Sequence, residues 1–414
     1  MASQLRYLAP AGSPLAAGDL ARWCRTAFSS TTASVALTQV LRDRFGVRHV
    51  YLTSTGRAGM TVLLRALRRL GGPGRNEVVL PSYTCYSVAA SIVKADLRPR
   101  LVDISPDTLD YSPAALAATD FSRVLAVVAT NLYGLPNDMP ALERLARRHG
   151  VFLVDDAAQA MGAGCEGRWS GTWGDAGLFS FDKGKNVSAI DGGVIVTNSE
   201  QVADALREEI GNLESPRAAT SLVHILKAVA YFVLLRPSLY GIPAHIPQLG
   251  LGKTTFTTDF SLSGPDRVLT ALALTMMSRL DEFTAARRAN AAALLRGLQN
   301  VGVACIEPRA RSAPAYLRFP LLVANEREQT AAIHALNAAG IGATRSYPAS
   351  IADVAGLRGV LANEGLMATG GRDVARRLVT LPTHPFVAAA DIRRMCAVLG
   401  ARESGCSSGR NVSA

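Results

Sequence analysis

Seven short apolar runs, spaced through residues 46–200 and bounded by turn residues, narrow what this chain can fold into. They are HVYLTS (49–54), EVVLP (77–81), PRLVDI (99–104), VLAVVAT (124–130), VFLVDD (151–156), AGLFSF (176–181) and GVIVTN (193–198). Amphipathic stretches such as MTVLLRALRRL (60–70) and MPALERLARRHG (139–150) separate several of them. Buried strands alternating with helices predict an α/β domain, a mainly parallel sheet flanked by helices. Such sheets bind ligands beyond the carboxyl ends of their strands, so the ends of these runs are where chemistry is expected.

The pattern divides the chain into an N-terminal segment (1–45), a large α/β domain (46–265), a linking helix (266–298), a smaller C-terminal α+β domain (299–402) and a polar tail (403–414) read as disordered. Within the large domain, 222–252 reads as an insertion. Its run from Leu222 to Leu235 is nearly all apolar, broken by His224 and Lys227. A bilayer needs ~20 apolar residues, so the run is too short to span one. Its alternatives are a helix packed on a domain or dimer surface and an interfacial patch that touches a membrane or a lipid-linked substrate.

Six cysteines lie scattered without a CxxC or His/Cys cluster, so no metal is expected and the thiols suit a reducing compartment. The first residues carry no apolar core of signal-peptide length, which gives a cytoplasmic expectation, with membrane association left open through 222–252. The net charge of +11 comes mostly from scattered arginines with helix-face spacing. No nucleic-acid motif accompanies them, and no nucleic-acid partner is expected.

Residues 151–198 carry the chemistry. One run ends in Asp155 and Asp156, a second ends near Ser180, and Lys185 lies in a glycine-containing loop just beyond. An acid, a hydroxyl and a lysine at strand ends of one sheet suit a cofactor with a pyridine nitrogen, a phosphate and an aldehyde. The nitrogen needs an anion, the phosphate needs hydroxyls and amides at a helix start, and the aldehyde needs an amine that can be neutral. STGRAGM (54–60) follows the first run and opens a helix, with Gly56 and Gly59 allowing close backbone approach to an anion. The plainer readings are helix caps for Asp155 and Asp156, a buried hydroxyl for Ser180 and a solvated loop lysine for Lys185.

The run VDDAAQAMGAGCEGRWSGTWGDAGLFSFDKGKNVSAIDGGVIVTN (154–198) resembles the signature of the DegT/StrS-type aminotransferases, which depend on pyridoxal 5'-phosphate (PLP). Further matching motifs are NEVVLPSYT (76–84), NLYGLPNDM (131–139), RLDEF (279–283), GIGATRSYP (340–348) and LPTHPFVAAADI (381–392). The resemblance implies an aspartate-aminotransferase-like fold, PLP fold type I, with a site at a homodimer interface. It implies transfer of an amino group from a small amino donor, glutamate, to a keto acceptor such as a nucleotide-linked keto sugar. By position it makes Lys185 the Schiff-base lysine, with Lys183 the competitor two residues early. It gives Asp156 the pyridine nitrogen, Gln159 the ring face and 3-hydroxyl, and Ser180, Gly56, Arg57 and Ala58 the phosphate. Cys85 stands where a ring-stacking aromatic is usual. Arg345 and Tyr347 lie where the small domain would face substrate, or are surface groups, and His384 reads as structural.

The departures are Cys85, Asn131 in place of a histidine, and TTDFSLSGPD (257–266), which lacks the asparagine that serves a neighbouring subunit's phosphate site. The rival readings are a PLP-dependent sugar dehydratase and a non-catalytic cofactor-binding or membrane-associated protein. The dehydratases carry histidine at the lysine position, which favours transamination here.

Overall fold

The computed structural model describes residues 6–28, 32–216, 218–246 and 255–408. All seven apolar runs become strands of one sheet. They are β1 (His49–Thr53), β2 (Glu77–Pro81), β3 (Arg98–Val102), β4 (Val124–Thr130), β5 (Phe152–Asp156), β6 (Ala176–Ser180) and β7 (Gly193–Thr197), in the order β1-β7-β6-β5-β4-β2-β3. Every pairing from β6 to β3 is parallel, and only β7, between β1 and β6, runs antiparallel to its neighbours. The α/β expectation therefore holds. Six strands send their carboxyl ends to one edge, and β2, β4, β6 and β7 are buried along their whole length.

Helices cover both faces because each presents one apolar stripe. Near the N-terminus, α1 (Ala17–Phe28) and α2 (Thr32–Phe45) precede the sheet. Between strands come α3 (Gly56–Leu70), α4 (Tyr86–Lys94) and α5 (Met139–His149), and α6 (Glu200–Gly211) follows β7. Leu63, Leu67 and Ile92 of α3 and α4 share a core with Val78 and Val128 of the sheet. Met139 and Leu142 of α5 join Val127 and Leu153 on the other face.

The apolar run beginning at Leu222 lies in α7 (Ala218–Leu234), while residues 247–252 of the insertion-like stretch fall outside the described residues. Among the described residues no helix is long and apolar enough to cross a membrane. The single linking helix expected over 266–298 is corrected. It is two helices, α8 (Arg267–Met277) and α9 (Leu280–Gln299). Arg279 breaks the run between them, tied to Asp19 at 2.8 Å and to the Pro14 carbonyl at 3.0 Å.

The C-terminal part pairs β8 (Arg318–Leu322) antiparallel to β9 (Leu378–Pro382), with α10 (Glu326–Ala338), α11 (Thr369–Arg377) and α12 (Ala389–Ser408). Leu8 packs into this core and bridges to Ile341, so the N-terminal segment begins against the C-terminal region. The disordered tail expected over 403–414 is corrected in its first part, because α12 continues to Ser408. Residues 409–414 lie outside the described ones.

Candidate active site

A cavity of about 340 Å³ opens at the carboxyl edge of the sheet. The chain delivers one contribution after each of five strands. Gly56 and Arg57 follow β1, Thr84 and Cys85 follow β2, and Asn131 follows β4. Asp156 ends β5 and Ser180 ends β6. Lys185 and Gln159 complete the wall.

At the β1 turn, the Thr55 hydroxyl caps α3 by accepting from Ala58 N–H at 2.9 Å. That corrects the phosphate role expected of Ala58, which is buried, does not line the cavity and has its amide engaged. Among the described residues the Gly56 and Arg57 amides have no hydrogen-bond acceptor, as a helix start has no intrahelical acceptors for its first donors. A Cβ on Gly56 would come within 3.1 Å of Ser180 Oγ, so the bare glycine lets strand end and helix start form one cradle. The dipole of α3 favours an anion there.

The two aspartates separate. Asp155 is an anchor, accepting from Gly171 N–H at 2.6 Å, Trp173 N–H at 3.2 Å and Asn131 Nδ2 at 2.7 Å. Burial pushes it up to about 7, against those three donors. Asp156 lines the cavity and accepts from Ala158 N–H at 3.0 Å. Burial raises its pKa above the usual carboxylate range, and the Ala158 N–H and the Lys185 charge oppose that shift. Asn131, at the position where the resemblance leads one to expect a histidine, ties Asp155 to the Asp156 carbonyl.

Lys185 is half-buried, and Lys183 is exposed although it also touches the cavity. The backbone behind Lys185 is gripped from within. Ser13 Oγ donates to the carbonyls of Lys185 and Asn186 at 3.0 and 2.9 Å. Fully buried Arg287 donates to the Asn186 carbonyl at 3.0 Å and the Gly12 carbonyl at 2.8 Å, and burial lowers it to about 10. On the outer side Gly184 N–H donates to Tyr231 Oη of α7 at 3.3 Å. Sequence reasoning missed Ser13, Tyr231 and Arg287.

Gln159 is held at both ends. Its Oε1 accepts from Tyr133 N–H at 3.1 Å and its Nε2 donates to Tyr347 Oη at 2.9 Å. Tyr347 is thus a buried support behind Gln159, and neither it nor Arg345 lines the cavity. The Arg345 side chain instead reaches Thr330 at the surface, which corrects its expected place facing substrate. Cys85 precedes α4 and lines the cavity, while Tyr86 turns away to bond the Ala349 backbone. His384 is buried against the Ala9 carbonyl at 2.9 Å, is held at about 4 by burial and does not line the cavity.

Thr84 and Thr130 also line the cavity, and among the described residues their buried hydroxyl oxygens have no hydrogen-bond partner. With a carboxylate, a hydroxyl at a helix start and an amine around the same space, the donor set fits a phosphorylated, aldehyde-bearing heteroaromatic molecule.

The family model for the DegT/DnrJ/EryC1/StrS aminotransferase family matches residues 25–222 and 265–400. A pleiotropic regulatory protein of Geobacillus stearothermophilus is 40% identical over 144 residues, covering 34% of this chain and 38% of that protein. A UDP-N-acetyl-3-dehydro-alpha-D-glucosamine 3-aminotransferase of Acidithiobacillus ferrooxidans is 36% identical over 163 residues, covering 39% and 43%. The alignments thus span about two fifths of these relatives' lengths. The crystal structure of the aminotransferase TlmJ from Streptoalloteichus hindustanus superposes with a TM-score of 0.77 at 23% identity, covering 97% of this chain and 100% of that one. That likeness shows a shared fold.

Proposed function

Because the chain belongs to the DegT/DnrJ/EryC1/StrS aminotransferase family, we propose that it is a PLP-dependent aminotransferase that moves an amino group from glutamate to a keto sugar, nucleotide-linked as in the Acidithiobacillus relative's name. The observation that carries this reading is the convergence of Asp156, Ser180, the α3 start and Lys185 on one cavity.

Bound there, PLP would supply an electron-withdrawing ring that stabilises negative charge at the donor's α-carbon. Asp156 would hold the ring nitrogen's proton, its burial making the charge pair strong. Ser180 Oγ and the Gly56 and Arg57 amides would hold the phosphate. Gln159, fixed by Tyr133 and Tyr347, would orient the ring edge. Lys185 Nζ would hold the aldehyde carbon at rest and, as a free amine, would take the donor's α-carbon proton as base and return a proton as acid.

A single-turnover reaction with glutamate tests the reading. The expected result is stoichiometric 2-oxoglutarate with loss of the cofactor's visible colour. Colour that ignores every amino acid would support the binding-protein rival instead.

The α7 region supports a second proposal. Leu222, Val223, Leu226, Val229 and Val233 are exposed on the helix, Leu226 at 63%, and Ile242 and Ile246 follow. Residues 215–258 contain Arg217, Lys227, Arg236 and Lys253 and no Asp or Glu. We propose that this face rests on an anionic lipid surface, since apolar residues with basic neighbours match both layers of such a surface. Two-fold pairing of the face with itself would oppose Lys227 and Arg236 to their own copies without a carboxylate from this stretch. The protein should float with phosphatidylglycerol-containing vesicles, and Leu226→Glu should weaken that about tenfold while leaving the sedimenting mass unchanged. Absence of flotation in the wild type, or a variant whose mass halves, overturns it. Sedimentation of the wild type also tests the expected homodimer.

A further inference from the structure

Arg57 is the second residue of α3, so its amide belongs to the cradle and its side chain leaves from the cradle's rim into the cavity wall. Its guanidinium lies over the Phe260 ring, 5.0 Å from the centroid. The ring is itself fixed. Lys94 of α4 places its ammonium 4.7 Å from the same centroid and donates to the Thr258 carbonyl at 3.0 Å. Ser54 N–H, at the end of β1, donates to the Ser263 carbonyl at 3.0 Å. The segment 258–263 is therefore tied to the turn between β1 and α3 and to the last residue of α4, and Phe260 restricts where Arg57 can point.

The charges around this rim explain why a cation is needed. Asp182 and Asp191 both line the cavity. Burial first and the Asp182 charge second push Asp191 up to about 7, with the Gly192 N–H, Lys183 and Arg57 opposing. A phosphate seated on the Gly56 and Arg57 amides would add negative charge beside these carboxylates. Backbone amides and the Ser180 hydroxyl carry no net charge to balance it. Among the described residues, the cations that line the cavity besides Lys185 are Arg57 and Lys183, and Lys183 is exposed to solvent. A guanidinium also matches phosphate oxygens with paired donors.

We infer that the Arg57 side chain, held by Phe260, is the charged ligand of the cofactor's phosphate, so that the phosphate subsite is completed by residues of the same chain. The inference rests on the PLP reading above, and it assigns the 258–263 segment to the positioning of Arg57.

Equilibrium titration of cofactor-free protein with PLP and with pyridoxal, which lacks the phosphate, tests it by fluorescence quenching without any turnover. Arg57→Gln should weaken PLP binding roughly 10–100-fold, the size of a lost hydrogen bond to a charged group, and leave pyridoxal binding unchanged. Phe260→Ala should weaken PLP binding by about 2–5-fold through a misplaced cation, and Arg57→Lys should recover part of the loss. Thermal unfolding of the cofactor-free variants checks that they fold. Unchanged PLP affinity in Arg57→Gln overturns the inference, as does an equal loss for pyridoxal, which would make Arg57 part of the scaffold. A wild-type protein that binds neither molecule would instead overturn the cofactor reading itself.

Discussion

Lys185→Ala is expected to lose turnover by on the order of 10⁴-fold, the upper range for removing a positioned general base and acid, and to lose the visible colour of bound cofactor. Both effects have one origin. In the proposed mechanism the same amine would hold the aldehyde at rest and would move the α-carbon proton during reaction. The structure shows why no neighbour would substitute. Lys185 is carried by a backbone that Ser13 and Arg287 grip from the inside through its own and the next carbonyl. Lys183 sits two residues away on the exposed side of that loop. Lys183→Ala should therefore retain the colour and most of the rate. Absorbance spectra and the glutamate half-reaction on the two purified variants make the comparison. Colour and rate retained by Lys185→Ala and lost by Lys183→Ala would exchange their roles, and retention by both would sink the covalent assignment. Small primary amines added to Lys185→Ala should restore part of the proton transfer, which a structural lysine would not show.

This loop also illustrates what the sequence made readable. The apolar runs at 151–156 and 176–181 announce buried parallel strands, because a strand covered on both faces needs apolar residues throughout. Their ends then place Asp156 and Ser180 at one edge, as the structure has them. The reversed direction of β7 was not legible, since an apolar run looks the same in either direction. The break at Arg279 was not legible either. The helical periodicity runs through it, and the chain bends there to reach Asp19 and Pro14, some 260 residues away in sequence. Arg287 reads in sequence as another solvated helix arginine. Only the arrival of the 12–13 and 185–186 backbones makes it a buried donor to carbonyls. Ala58 matched the phosphate turn by position, but a side-chain cap one turn earlier had already engaged its amide. Local pattern thus located strands and turns, while long-range hydrogen bonding decided which groups at those turns stay free.

Asp156→Asn is expected to slow the half-reaction with glutamate on the order of 10²–10⁴-fold, the cost of removing one partner of a buried charge pair. The variant keeps the shape of the site. An amide at this position can still accept from Ala158 N–H, so the β5 end and its turn should fold as before. What it loses is the anion. Burial raises the pKa of Asp156, and the Ala158 N–H and the Lys185 charge oppose that shift and support the anion. Asparagine cannot keep a ring nitrogen protonated, so negative charge developing at the donor's α-carbon would have no electron sink. The slowing should therefore fall on α-proton removal. An α-deuterated glutamate should show a larger isotope effect with the variant than with the wild type, while KM changes little. Asp156→Glu should recover part of the rate, because it restores the charge with a displaced carboxylate. A variant that loses cofactor binding and rate together, with no change in isotope effect, would make Asp156 an anchor of the fold like Asp155. Equal rates in wild type and Asp156→Asn would remove the pyridine partner from the proposed mechanism, while leaving the Lys185 prediction to stand or fall on its own.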